Sequence, residues 1–301
     1  MGNPLVTVVL CVYNGGDYLA FSIKSILEQT YSNFEFIIWD DGSSDGTKEI
    51  VKSFSDKRIK YIYHENTGLG MALRLACARA KGKYIARMDS DDICFPNRFE
   101  IEVDYLERHE DCVLVSSAIN YINDKGDIMG RSFPYSKDRI IKDALRIPSS
   151  YIVHPMAMIR RDAYEKAGGY LPIRKSQDVL FWSRLSKQGK FYNISSPLGG
   201  YRVLQSSLDH EYNPYKPVLM SLLKKMVMSD VVTDDDINLY NDIFVYSKKE
   251  SKHLSISTDS NYKKKIDERI YDILKLIVGK QTAERMVVFI KDRGYIIRHS
   301  I

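Results

Sequence analysis

Apolar residues in the first forty positions follow two different periods. Val6–Val12 is a short, β-branched apolar run without polar alternation, a pattern typical of a strand buried on both faces of a parallel sheet. Leu19, Ile23 and Ile26 then recur at i, i+4 and i+7, which predicts an amphipathic helix that ends near residue 30. A second, largely apolar run at residues 34–39 predicts another strand. The chain therefore begins with a predicted strand-helix-strand unit.

The same alternation continues beyond residue 100 with short connections. Pro96 opens a helical pattern in which apolar residues keep the helical spacing. Strict alternation of strands and helices predicts a parallel sheet wrapped by helices. The elements predicted between these points are helices over 47–54 and 68–80 and strands over 59–63 and 84–88.

The pattern changes after an extended run at residues 112–119. Residues 121–122 and 128–129 flank a turn at 124–126 and resemble a β-hairpin. The segment that follows is mixed, with a helix predicted over 178–188 and extended chain over 151–159 and 191–194.

The last third of the sequence has a helical pattern from about Pro214, including an apolar stripe over residues 266–277. We predict two domains, an α/β domain over 1–213 and a helical extension over 214–301. The extension carries the charge asymmetry of the chain, because residues 261–301 hold ten basic and five acidic side chains and the whole chain has a net charge of +5. Such a tail is either a solvated helix face or a contact for an anionic membrane surface.

The cysteines and the apolar runs indicate the cellular compartment that we expect for the protein. Four scattered cysteines lack zinc or disulfide spacing, so we expect reduced, buried thiols. No apolar run approaches the roughly 20 residues of a membrane span, and no signal-type segment is present. We expect a cytoplasmic protein, or one held at the cytoplasmic face of the inner membrane.

Three of the predicted strands end in polar or glycine-rich segments. These are residues 13–16 (Tyr-Asn-Gly-Gly), 40–43 (Asp-Asp-Gly-Ser) and 89–92 (Asp-Ser-Asp-Asp). Each alone suits an ordinary turn, yet in a parallel sheet the carboxyl ends of the strands share one rim, where ligands bind. The three segments together therefore predict a binding site on that rim.

The acidic segment is suited to a metal-bound diphosphate. Carboxylates would repel a diphosphate unless a divalent cation lay between them, and hard oxygen ligands favour Mg²⁺ or Mn²⁺. Asp89 and Asp91 follow a predicted strand directly and supply two such oxygens. Their position at a strand end makes this otherwise common spacing informative.

Ordered motifs run along the chain from Val6–Val12 with Tyr13-Asn14, through Asn66-Thr67-Gly68, to Gln177-Asp178. They resemble the family 2 glycosyltransferases of the GT-A fold, of the type that builds bacterial surface polysaccharides. The resemblance covers roughly the first two thirds of the chain. It implies an α/β fold with a mostly parallel central sheet flanked by helices, followed by a C-terminal helical extension. The motifs are Val6–Val12 with Tyr13-Asn14, residues 25–30 and 40–45, Asn66-Thr67-Gly68, residues 76–85, the acidic segment, His154-Pro155, Gly168-Gly169-Tyr170, and Gln177-Asp178 with Trp182 and Arg184.

The resemblance also implies roles for individual residues of a nucleotide-sugar site. Asp178 matches the general base of an inverting transfer, which removes the proton of the acceptor hydroxyl. Asp91 matches the metal ligand beside the diphosphate, and Asp92 is left to cap a helix or to support the site. The donor contacts implied are Val12 or Tyr13 against the base, Asp41 on a uracil or thymine ring, Asp89 on ribose or metal, and the adjoining Ser90.

Some positions depart from the family pattern or stay open. Gln177 stands where the family usually has Glu, which removes a like charge beside Asp178 and should make that carboxyl more acidic than in relatives. His154 either contacts the donor or acceptor or is a structural hydrogen-bonding residue. Three arginines are candidates for phosphate contact, with a scaffold role as the alternative: Arg87, Arg98 and Arg202.

The resemblance implies a metal-dependent transfer of one hexose-type sugar. The expected donor is a UDP-sugar, with a dTDP-sugar as the less favoured alternative. The expected acceptor is a hydroxyl of a growing, lipid-linked capsule or O-antigen oligosaccharide. The expected cofactor is Mn²⁺ or Mg²⁺. Nucleic acid is not an expected partner, whereas the extension is a candidate for acceptor, membrane or homodimer contact.

Other functions fit the sequence less well. A dinucleotide oxidoreductase lacks its GxGxxG after the first strand, and a sugar nucleotidyltransferase lacks its glycine-rich, basic triphosphate loop. A processive synthase lacks membrane spans and a Gln-x-x-Arg-Trp segment. The remaining alternative is a non-catalytic scaffold or membrane-docking protein with the same fold.

Overall fold

The computed structural model describes residues 5–204 and 216–254. The chain divides into two compact units, Met1–Leu208 and Asp209–Ile301. The predicted apolar stripe over 266–277 and the basic tail lie outside the described residues.

The first half of the larger unit alternates strands and helices as predicted, except that an unpredicted two-residue strand, Ile93–Cys94, follows the fourth strand directly. The two apolar periods of the sequence correspond to strands that are buried along their whole length and to helices buried on one face. The elements are β1 Val6–Val12, α1 Leu19–Leu27, β2 Phe34–Asp40, α2 Thr47–Lys52, β3 Ile59–Tyr63, α3 Leu69–Cys77, β4 Tyr84–Met88, β5 Ile93–Cys94 and α4 Arg98–Arg108.

The second half contains the predicted hairpin, together with two short helices that the sequence did not predict, Asp138–Leu145 and Arg161–Lys166. Residues 151–159 are not extended throughout, because His154–Met156 form a 3₁₀ turn in which Pro155 supplies the fixed φ angle. The elements are β6 Cys112–Ile122, β7 Ile128–Arg131, α5 Asp138–Leu145, β8 Met158–Arg160, α6 Arg161–Lys166, α7 Gln177–Leu185 and β9 Lys190–Arg202.

The nine strands found among the described residues belong to one sheet, in the order β3-β2-β1-β4-β8-β6-β9-β5, with β7 paired to β6. β1 runs parallel to β2 and β4, and β2 runs parallel to β3. The short β8 is antiparallel to both β4 and β6. The predicted central sheet, mostly parallel and flanked by helices, is confirmed, and antiparallel pairing enters only after β4.

The core lies on both faces of the central strands. Every residue of β1, β2 and β4 is buried, and the α1 stripe of Leu19, Ile23 and Ile26 is fully buried against them. Full burial of one such side chain stabilises the fold by about 1.5–3 kcal/mol. All four cysteines are free and buried, as the sequence predicted.

Strand register brings the three polar segments to one edge of the sheet. Val12 pairs with Asp40, and Leu10 pairs with Met88, the residue before the acidic segment. The carboxyl ends of β1, β2 and β4 thus form one rim.

The described part of the C-terminal unit, residues 216–254, forms the helices α8 Lys216–Met228 and α9 Asp234–Leu254, which pack against each other. Thr233 and Asp236 form a reciprocal cap at the start of α9, since the Asp236 amide donates to the Thr233 hydroxyl and the Thr233 amide to the Asp236 carboxylate. Across the described ranges, no helix combines the length and apolar content needed to cross a bilayer.

Candidate active site

Two turns on the rim are joined by reciprocal hydrogen bonds. The Asn14 amide donates to the Ser43 hydroxyl at 2.8 Å, and the Ser44 amide donates to Asn14 Oδ1 at 2.9 Å. Asp40 accepts from the Ser43 amide at 2.8 Å and from the Tyr61 hydroxyl at 2.6 Å. The ends of β1 and β2 are therefore fixed relative to each other.

Val12 and Tyr13, the two candidates for base packing, differ in exposure. Val12 is buried and its carbonyl accepts from the Asp41 amide at 2.8 Å, whereas 57% of Tyr13 is exposed. The Tyr13 ring is thus accessible to a ligand, and Val12 supports the rim from below.

Asp41 holds the loop after β3. Its Oδ1 accepts from the amide and hydroxyl of Thr67 at 3.0 and 2.9 Å, and its Oδ2 accepts from the Gly68 amide at 2.8 Å. This loop contact was not predicted from the sequence, where Asp41 was considered only as a base contact. A carboxylate has about four acceptor positions, so these three bonds leave one for a ligand.

The acidic segment forms a compact cluster. Carboxylate oxygens of Asp89, Asp91 and Asp92 lie within 4.8 Å of one another. Burial, together with the Asp89 charge, raises the pKa of Asp91 to about 6, and burial raises the pKa of Asp92 well above its ordinary value. Asp92 Oδ2 is buried without a hydrogen-bond partner among the described residues. A divalent cation would relieve this crowding, so the donor set fits the predicted metal.

Asp92 does not cap a helix, which corrects one of its two predicted roles. Its Oδ1 accepts from the Arg202 amide at 2.8 Å and so connects the acidic segment to β9, while α4 begins only after Asn97. The buried Ser22 hydroxyl contacts the carbonyls of Ser90 and Asp92 at 2.9 and 2.6 Å. The sequence contained a signal for Ser22, because it is a polar residue within the buried stripe of α1.

Arg87 lies beneath the cluster. The guanidinium is buried and ion-paired with Asp89. Its charge lowers the pKa of both Asp91 and Asp178 against the effect of burial. Arg87 is therefore a buried cation that offsets carboxylates of the rim, and the charge of the buried Arg202 likewise lowers the pKa of Asp91.

The other two candidate arginines are also buried. Arg98 pairs with Glu102 and donates to the carbonyls of Arg87 and Pro155 at 3.1 and 3.0 Å. Arg202 donates through Nε to the Asp91 carbonyl at 2.9 Å. Both arginines donate hydrogen bonds to backbone carbonyls around the site. These contacts agree with a scaffold role for the two residues.

Asp178 lies in the first turn of α7 and is partly exposed. The Val179 amide donates to its carboxylate, and Ser176 before it has a left-handed φ of 59°. Burial raises the pKa of Asp178, and the charges of Arg87 and Asp89 also act on it. The Asp89 carboxylate is therefore close enough for its charge to raise the pKa of Asp178.

An aromatic group surrounds His154. Its Nε2 lies 2.9 Å from the Tyr170 hydroxyl, and its ring meets Trp182 edge-on at 5.6 Å. Burial lowers the pKa of His154 well below its ordinary value. A buried, neutral His154 that bonds to Tyr170 agrees with the role of a structural hydrogen-bonding residue. Arg184 donates to the Gly169 carbonyl at 2.7 Å and so secures the turn before Tyr170.

Gly70 permits close approach of the segment that leads to Asp178. A Cβ at position 70 would clash with the Ile173 carbonyl and lie 2.7 Å from the Leu171 carbonyl. We expect Gly70→Ala to cost about 1–3 kcal/mol of unfolding free energy, because the backbone at residues 171–173 would have to move. Urea unfolding measures the effect.

Gly46→Ala is the matched control, because a Cβ there meets nothing within 4 Å. Equal behaviour of the two variants would contradict the packing argument.

A large cavity lies elsewhere on the unit. It measures about 600 Å³, is lined by Lys83, Glu107 and Arg160 among others, and adjoins the amino end of β4, away from the rim. Lys83 and Glu107 pair within it at 2.7 Å. A smaller cavity of about 220 Å³ adjoins the rim at residues 40–45.

The fold and rim define a GT-A glycosyltransferase, an enzyme of the nucleotide-sugar-using class. The chain belongs to glycosyl transferase family 2, whose model matches residues 7–168.

Two relatives illustrate the family. The chain is 34% identical over 213 residues to the putative glycosyltransferase EpsE of Bacillus subtilis, covering 68% of this chain and 74% of EpsE. It is 36% identical over 211 residues to an uncharacterised glycosyltransferase of Methanocaldococcus jannaschii, covering 67% and 72%.

Two solved structures share the fold. Residues 1–349 of Staphylococcus aureus TarS in complex with UDP-GlcNAc match with a TM-score of 0.63 at 17% identity, covering 90% of this chain and 80% of that one. A mannosyltransferase of Pyrobaculum calidifontis in complex with GDP-Man and Mn²⁺ matches with a TM-score of 0.56 at 16% identity, covering 96% and 86%.

Proposed function

We propose that the protein is an inverting, metal-dependent glycosyltransferase that moves one hexose-type sugar from a UDP-sugar to an acceptor hydroxyl. The observation that carries the proposal is the rim at the ends of β1 and β4, which holds the accessible Tyr13 and a carboxylate cluster suited to a metal ion. Asp178, a separate carboxylate of raised pKa, is close enough for the Asp89 charge to act on it. A UDP donor is supported by the UDP-GlcNAc complex of TarS.

The donor would lie along the rim from Tyr13 to the acidic cluster. Tyr13 stacks on the uracil ring, and the remaining acceptor position of Asp41 takes its N–H. Asp89 and Ser90 contact the ribose and diphosphate region. Asp91, with Asp89, holds Mn²⁺ or Mg²⁺. The bound cation would neutralise charge on the departing diphosphate.

Asp178 acts as the base. Its ionised carboxylate accepts the proton of the acceptor hydroxyl while that oxygen forms the new bond to the anomeric carbon and the bond to UDP breaks. The Arg87 charge favours the ionised form, and the adjacent Val179 amide orients the carboxylate. Attack from the side opposite UDP inverts the anomeric centre.

The acceptor proposed is a growing, lipid-linked oligosaccharide of capsule or O-antigen type, assembled at the cytoplasmic face of the inner membrane. The bacterial relative EpsE supports a bacterial setting. We assign residues 1–213 to donor binding and catalysis. The extension over 214–301 would serve acceptor, homodimer or membrane contact.

A screen of UDP-sugars for metal-dependent UDP release tests the proposal before any acceptor is known. We expect slow release of UDP from one sugar donor with Mn²⁺ or Mg²⁺, and none after chelation. Release of pyrophosphate from sugar phosphate and UTP would instead indicate nucleotidyl transfer. Failure to bind UDP and to release it from any donor would favour the non-catalytic scaffold.

A further inference from the structure

An apolar surface on the β6–β7 hairpin and the loop after it has no partner in the described structure. Ile128 and Met129 point to opposite sides of β7, yet they are 66% and 56% exposed. Phe133, just beyond the strand, is 84% exposed. We call the following residues the hairpin patch: Ile128, Met129, Phe133, Tyr135 and Tyr151.

Several contacts fix the loop residues of the patch against β9. The Tyr135 and Tyr151 rings meet at 4.8 Å, and Asn193 Nδ2 donates to the backbone carbonyls of both residues at 2.8 and 3.0 Å. The Arg131 guanidinium lies over the Phe133 ring at 5.8 Å and donates to the Ser195 carbonyl at 2.6 Å. The patch is therefore attached to β9 and held in place.

The charge around the patch is positive. Residues 128–151 contain five basic and two acidic side chains, a net charge of +3. One of the two acids, Asp138, is occupied by Lys142 at 3.2 Å and by the Phe191 amide at 2.8 Å. Arginines and lysines next to exposed aromatic and aliphatic side chains form the combination that binds an anionic lipid surface.

The shape of this region favours a bilayer over a second copy of the chain. β7 is only four residues long, pairs with β6 alone among the described strands, and faces a register shift at Tyr121/Ile122. Short, irregular edge strands resist strand-to-strand addition. The apolar side chains project from a hairpin and a loop rather than lining a groove, a form suited to shallow insertion.

The patch is also linked to the acidic cluster. Arg202 Nη1 donates to the carbonyls of Asn123 and Asp124 in the hairpin turn at 2.6 and 3.0 Å, and Arg202 Nε donates to the Asp91 carbonyl at 2.9 Å. The buried Arg202 side chain thus connects the hairpin turn to the acidic cluster. A hairpin resting on a membrane would place the rim near lipid-borne acceptors.

We propose that the hairpin patch docks the enzyme on an anionic membrane surface. The docking is independent of the C-terminal extension, and it stands whether or not the donor is a UDP-sugar.

Vesicle flotation of the full chain tests the docking. The vesicles contain equal parts phosphatidylcholine and phosphatidylglycerol, with pure phosphatidylcholine vesicles for comparison. We expect wild type to float with the anionic vesicles, more weakly at high salt. The double variant Met129→Ser/Phe133→Ser should bind them about tenfold more weakly or worse.

Phe21→Ser is the matched control, because Phe21 is 60% exposed on α1 and lies outside the patch. It should bind vesicles as wild type does. Circular dichroism and UDP titration check that each variant is folded with an intact rim, so failure of docking is distinguishable from failure of the proposed activity.

Three results would overturn the docking: wild type that does not bind anionic vesicles, a double variant that binds like wild type, or a wild-type dimer that the double variant loses. The last would identify a second copy as the occupant.

Discussion

Asp178→Asn is expected to retain UDP-sugar binding and lose transfer by about 10²–10⁴-fold, the range that a positioned general base contributes. Asparagine keeps the size of the side chain and its place in the first turn of α7, but it cannot take a proton at neutral pH. Donor titration and single-turnover transfer measure the two properties separately.

The pH profile distinguishes a base from a positioning residue. Burial raises the pKa of Asp178, and transfer needs the ionised form. The rate should therefore be full above that raised pKa and fall as the pH drops through it, so the acid limb lies at higher pH than for an ordinary aspartate. Gln177→Glu adds a like charge beside Asp178 and should move this limb to still higher pH.

Asp162→Asn is a suitable control, because Asp162 is an exposed carboxylate in the first turn of another helix, α6. Its transfer rate should equal that of wild type. Near-normal turnover by Asp178→Asn would exclude Asp178 as the base.

Asp91→Ala is expected to abolish the metal-dependent part of UDP affinity. Removing a residue that only hydrogen-bonds to a metal ligand lowers metal affinity by about 10–100-fold. Loss of a direct ligand should therefore lower it by at least about 100-fold. Calorimetric titration of UDP with and without Mn²⁺ measures the difference. Because the pKa of Asp91 is about 6 without metal, the wild-type metal effect should decline as the pH falls below that value.

Stability gives the Asp91 prediction a second readout. Removing one of three crowded carboxylates relieves repulsion, so metal-free Asp91→Ala should be no less stable than metal-free wild type. Asp104→Ala, at an exposed carboxylate of α4, should leave metal-dependent UDP binding unchanged. An unaltered Mn²⁺ effect in Asp91→Ala would remove Asp91 from the metal site.

Local sequence was enough to predict the order of elements through β4 and the meeting of three polar segments at one rim. Burial on both faces requires continuous apolar runs, as in Val6–Val12, and burial on one face requires the helical stripe of Leu19, Ile23 and Ile26. Polar residues directly after such runs fall at strand ends. Asp89 and Asp91 could therefore be placed on the rim before any tertiary contact was known.

Side-chain partners required the tertiary structure. Asp92 connects to Arg202 across 110 positions, and Asp41 holds a loop 26 positions away. Neither contact can be predicted from hydrophobic periodicity, because periodicity indicates which face of an element is buried and not which residues that face contacts. The same limit hid the antiparallel β8, whose three residues are too few to show a period.

The sequence by itself determined the fold class, the rim and the residue types available for chemistry, because these depend on local periodicity and strand ends. Only the tertiary structure decided that Arg87 lies under the carboxylates, that Asp178 comes within electrostatic reach of them, and that Arg202 connects the hairpin to Asp91. Those relations arise from long-range packing. Buried charges and backbone carbonyls need hydrogen-bonding or charged partners, and here those partners are far away in the sequence.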